Sequence, residues 1–83
     1  MTPLPPDSRR NVQRGVIEMA PYQQRVVDEK AELDSRTESL EKFFDTQTFQ
    51  DLDSGEQSLL HQQHRAMKLY SHILGDRIRA FNL

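Results

Sequence analysis

Cysteine is absent from the 83 residues, which removes disulfide frameworks, thiolate zinc sites and thiol nucleophiles together. An excess of positive charge is missing too. Eleven basic and 13 acidic residues leave a formal net charge of −2, which excludes a polybasic, counterion-driven binder of polymeric nucleic acid. No apolar run approaches the length of a membrane span. The opening MTPLPPDSRR lacks the apolar stretch of a secretory signal, so a cytoplasmic location without membrane attachment is expected. Gly-rich phosphate loops, zinc-ligand spacings and nucleophile elbows are likewise missing. Neither catalysis nor a bound cofactor is expected. Hydrophobic residues make up only 35% of the chain, below the usual globular share, and the length allows one small domain, 1–83.

What remains is helical punctuation and spacing. Pro3, Pro5 and Pro6 remove amide donors and push the residues before them out of the helical region, which predicts a flexible or extended arm over 1–6. Asp7 or Ser8 can cap a short helix over 7–19, with Val12, Val16 and Met19 as a thin apolar edge. Gly15 weakens it by about 1 kcal/mol relative to Ala. Pro21 suits the first turn of a long helix over 21–47. Within it Val26, Leu33 and Leu40 recur every seven residues, and Lys30, Thr37 and Phe44 fill the positions four residues on. This is heptad spacing with two polar residues in the seam. The polar stretch 46–53 reads as a turn anchored by Phe49 and Leu52. Asp53 with Glu56 and Ser54 with Gln57 form two overlapping capping boxes, which open a second long helix over 55–81. Leu60, Met67, Leu74 and Phe81 make its heptad row, broadened by Leu59, Ala66, Tyr70, Ile73 and Ile78. No period-two alternation marks a strand, so the predicted fold class is all-α: a short N-terminal helix and a long antiparallel helical hairpin.

Two helices of about 26 residues each extend roughly 39 Å but cannot enclose a core. One wide apolar face on the last helix stays wet, and a chain this small rarely has a self-sufficient core. Self-association into an intertwined homo-oligomer is expected. The competing arrangement is a compact three-helix monomer with the short first helix as a lid.

Candidate chemistry is sparse. His61 and His64 are one turn apart, but a stable metal site needs further ligands, and Gln62, Gln63 and Arg65 do not supply them. Solvated surface histidines are the better reading, and no metal site is expected. Acidic residues alternate with basic ones along 25–42, as on a solvated helix face, with Glu32–Arg36 and Glu38–Lys42 as i,i+4 pairs. Tyr22, at a helix entrance, suits either stacking on a nucleobase or stapling the helix end. Tyr70 lies amid the apolar face and reads as core. Arg36 beside the seam, and Arg77 at the margin of an apolar face, can clamp phosphate or lay their stems on apolar surface.

The segments YQQRVVDEKAELDSRTESLEKFF (22–44), EQSLLHQQHRAMKLYSHIL (56–74) and DRIRAF (76–81) together resemble the phage anti-CBASS cyclic-oligonucleotide sponges, over about three quarters of the chain. The resemblance implies a non-enzymatic protein of the host cytoplasm. It would bind cyclic di- and trinucleotide messengers, such as cyclic GMP–AMP and cyclic tri-AMP, without cleaving them. CBASS effectors would then stay silent. It also implies an interlocked homohexamer with ligand pockets between protomers. Tyr22 resembles the family's base-stacking tyrosine and Arg36 its phosphate-binding basic residue, with Arg replacing Lys. Arg77, within Arg77-Ile78-Arg79-Ala80-Phe81, resembles the main cation of the trinucleotide pocket. Glu38 falls in register with the assisting hydroxyl of that pocket, and Thr37 lies next to it. The alternative from the residues alone is a helical-hairpin interaction module, or an inhibitor of a host protein.

Overall fold

The computed structural model describes residues 19–81. The arm expected over 1–6 and the short helix expected over 7–19 lie outside them, except that Met19 is described and is not helical. Three helices follow: α1 (Pro21–Phe43), α2 (Gln47–Gln50) and α3 (Ser54–Ala80). The described residues contain no strand.

Pro21 opens α1 at its first position after an extended Ala20. Ala20 has no side-chain acceptor for the helix. Gln23 compensates in the other direction, its Oε1 accepting from the Ala20 amide at 2.8 Å. The helix predicted to reach residue 47 ends at Phe43. The Asp45 amide donates to the Lys42 carbonyl and the Thr46 amide to the Phe43 carbonyl, tightening the last turn. Thr46 then caps α2. Its Oγ1 accepts from the Phe49 amide at 3.2 Å and donates to the Phe43 carbonyl at 2.7 Å. This bend returns Phe49 onto Phe43 and Phe44 at ring-centroid distances of 5.9 and 5.0 Å, and Phe49 is buried. A straight helix would leave that ring in water, so tertiary packing ends α1 where local propensity would continue it.

Asp53 caps α3, accepting from the Glu56 amide at 3.1 Å. Of the two expected boxes, the first forms only this half, without a return bond from Glu56, and the second does not form. Gln57 turns away from Ser54 and donates to the Phe49 and Gln50 carbonyls at 2.9 and 3.2 Å, satisfying the exposed end of α2.

α1 and α3 pack lengthwise, and their contacts run in reverse order: Tyr22 with Phe81, Lys30 with Ser71, Glu41 with His64. The two heptad rows meet in this seam. Val26, Leu33 and Leu74 are buried in it, flanked by Met67, Ile78 and Phe81. Thr37 is buried there as well, its hydroxyl donating to the Leu33 carbonyl at 2.8 Å. Gly75 is buried beside Lys30, and a Cβ on it would stand 3.3 Å from the Lys30 Cε. The glycine thus gives the lysine stem room to cross the seam.

Candidate functional site

Seven helical residues return a side chain to within about 20° of its starting direction. Tyr22, Glu29, Arg36 and Phe43 therefore form one row along α1, at intervals of about 10 Å. Gln63, Tyr70 and Arg77 form a corresponding row on α3. The Tyr70 hydroxyl donates to Glu29 Oε2, which puts both rows on the same flank of the helix pair. Tyr22, Arg36 and Arg77 thus line a single flank. All three are exposed, and Tyr22 is 51% accessible. Its ring meets Phe81 edge-on at 5.9 Å, so it closes the helix end while leaving a face in solvent. Leu59, Ala66 and Ile73 continue the same flank along α3. Leu59, Tyr70 and Ile73 are exposed large apolar side chains, as is Leu69 next to them.

The opposite flank is closed by charge. The Lys30 ammonium lies 2.7 Å from Asp34 Oδ2 and 3.1 Å from Ser71 Oγ, and the Ser71 hydroxyl donates to Asp34 Oδ1. The hydrogen bond from Lys30, then that from Ser71, holds the Asp34 carboxyl below its ordinary value of 3.8. Further along, Glu41 Oε2 sits 2.7 Å from His64 Nε2 and 3.9 Å from the Lys68 ammonium. The hydrogen bond from His64 chiefly lowers the Glu41 carboxyl below 4.5.

The flanks therefore differ in kind. On one, Lys30 and Asp34 pair along α1 and both bond Ser71 across the seam, while Glu41 meets His64 and Lys68 across it. On the other, neither Arg36 nor Arg77 has a carboxylate partner among the described residues. The expected Glu32–Arg36 pair does not form, while Glu38–Lys42 does, at 3.8 Å and largely in solvent. Thr37 stands apart from the other three candidates, with its hydroxyl inside the seam. Glu38 points outward beside it.

Residues 20–80 match the model of the Sequestin family. The chain belongs to that family. The Sequestin name describes a protein that sequesters, which accords with a binding role over an enzymatic one. No match was found among curated proteins or among solved structures. In this Sequestin chain the described residues hold no group of three potential metal ligands and enclose no cavity. No described helix is long and apolar enough to cross a membrane.

Tyr70, the histidines and Glu29 also bear on the expectation. Tyr70, read as core, is 43% exposed and bonds to Glu29. His64 is half-buried against Glu41 and so is not a freely solvated histidine, whereas His61 is exposed as expected, with its ring 4.5 Å from that of Phe44. Glu29, read with its neighbours as one more charge on a solvated helix face, is half-buried and accepts from Tyr70. The signal was its place seven residues from both Tyr22 and Arg36.

Proposed function

We propose that this protein is a sponge for cyclic di- and trinucleotide messengers. It holds them intact between protomers of a homo-oligomer and so keeps CBASS effectors inactive in the host cytoplasm. The observation that carries the reading is the shared flank: Tyr22, Arg36 and Arg77, none spent on a carboxylate, beside an uncovered apolar strip. Membership of the Sequestin family supports it.

Geometry favours a site completed by a second copy. Tyr22 and Arg36 are fourteen residues apart, about 21 Å along α1, too far for one compact ring ligand to touch both on a single protomer. Copies that meet along the apolar flank, each a helical hairpin, bring the tyrosine of one toward the arginine of another and supply each contact twice. The assembly we favour is a hexamer. Tyr22 stacks on a base, which contributes about 1–3 kcal/mol. Arg36 clamps a phosphate, and charge-assisted bonds add about 1.5–3 kcal/mol each. Arg77 serves the trinucleotide. Thr37 joins that contact only if its bond to the Leu33 carbonyl opens, so its main contribution is to the seam.

Calorimetry with cyclic GMP–AMP and cyclic tri-AMP tests the reading. Binding of either is expected, with the ligand recovered chemically unchanged. Tyr22→Ala and Arg36→Ala should weaken the dinucleotide at least tenfold, and Arg77→Ala the trinucleotide. Silence toward both ligands at high micromolar concentration overturns the proposal, and hydrolysed ligand overturns sequestration. The exposed Leu59–Leu69–Ile73 strip also suits a protein partner. One stoichiometric host protein retained in a pull-down, with no nucleotide bound, would favour that reading.

A further inference from the structure

The site proposed above carries a carboxylate that a plain anion trap would not tolerate. Glu29 lies midway between Tyr22 and Arg36 on the same row, on the flank that carries Arg36 and Arg77. It is also unlike the other carboxylates that reach across the seam. Asp34 meets the Lys30 ammonium, and Glu41 meets His64 and Lys68. Glu29 meets only the neutral Tyr70 hydroxyl, through Oε2, and its charge has no cationic partner among the described residues. An ionised carboxylate accepts through both oxygens. One oxygen is held in place by Tyr70, and the other is left to accept. Beside a phosphate such a charge opposes binding unless the ligand donates to it.

From this placement we infer that Glu29 reads the base of the captured ring and selects guanine. The Watson–Crick edge of guanine offers two adjacent N–H donors, N1–H and the N2 amino group, which match a carboxylate. The same edge of adenine offers one amino donor beside an acceptor nitrogen, which a carboxylate repels. Tyr70 is a positioning residue that fixes the carboxylate, and Tyr22 holds the base by its face. Selection by edge and retention by stacking are thus separate tasks. The inference rests on the sequestering reading, and the two fail differently.

The test compares cyclic di-GMP with cyclic di-AMP, two rings with the same phosphates and different bases, on the full-length protein. Wild type should prefer cyclic di-GMP by about tenfold or more, the discrimination that a good bidentate contact provides. Glu29→Gln restores a donor beside an acceptor, so it should weaken cyclic di-GMP and leave cyclic di-AMP unchanged or tighter. Tyr70→Phe should move the ratio the same way by a smaller factor. Unchanged helicity and unchanged assembly mass show that the variants keep the fold. A ratio that does not move in Glu29→Gln, or a wild type that prefers cyclic di-AMP, refutes base reading while leaving sequestration standing. A wild type that binds neither ring, nor cyclic GMP–AMP, nor cyclic tri-AMP, refutes both.

Discussion

Leu74 is the most deeply buried side chain described, at 1% exposure, and it sits where the two heptad rows cross. Leu74→Ala removes three carbons from contact with Val26 and Leu33. At about 0.8 kcal/mol per buried methylene, the transfer loss alone is roughly 2.4 kcal/mol. A residual cavity would add to this, and comparable substitutions span about 2–5 kcal/mol. Met67, Ile78 and Phe81 border the site and are themselves only partly buried, so they can move in and close the gap. The expected cost is therefore near the lower end, about 3 kcal/mol. A chain of 83 residues has roughly 4–12 kcal/mol of stability in total at ordinary values per residue, so the loss is a large share of it. Urea unfolding followed by helical circular dichroism reads the change, at fixed protein concentration because association raises apparent stability. Leu69→Ala is the comparison: at 62% exposure it should cost little in dilute protein, and more as concentration rises. A loss below about 1 kcal/mol for Leu74→Ala would mean that the α1–α3 seam is not what holds the chain together.

Gly75→Ala should stabilise by about 0.5 kcal/mol. Helix propensity contributes about 1 kcal/mol, and the new Cβ, 3.3 Å from the Lys30 Cε, displaces a flexible stem by a few tenths of an ångström. Destabilisation beyond about 1 kcal/mol in urea would show that Lys30 cannot yield. Acid should loosen the closed flank. The folded carboxyls of Asp34 and Glu41 titrate below their unfolded values of 3.8 and 4.5. Their contribution is complete well above pH 4.5 and fades as pH falls through the folded values. Thermal melts from pH 7 to pH 2 should show Asp34→Asn losing less on acidification than wild type, and parallel losses would contradict the assignment.

Periodicity along one helix was enough to read the seam. Val26, Leu33, Leu60, Met67 and Leu74 announce themselves by sevens because burial selects one face of each helix. Spacing cannot say which side of that face a charge occupies once two helices are paired. The string puts Lys30 in the seam and Arg36 beside it, but does not show that Lys30 is spent on Asp34 and Ser71 while Arg36 is left without a carboxylate partner among the described residues. The same blindness hid Glu29 and misplaced Tyr70, whose hydroxyl found a carboxylate across the seam. The end of α1 was obscured for a different reason. Nothing local forbids helix through Gln47, and only the return of Phe49 onto Phe43 and Phe44 ends it. Gln57 shows the same override, since its box with Ser54 is locally sound but the carbonyls of α2 compete for the amide.

The edge-on contact of Tyr22 with Phe81 brings the two extremities of the described chain together, with the α1–α2–α3 bend about 35 Å away. That shared end carries Tyr22 and Arg77. A purification tag or sensor-chip linker attached to a described residue at that end would crowd those side chains. The exposed Asp51, at the far end, is the attachment point that would leave them unobstructed.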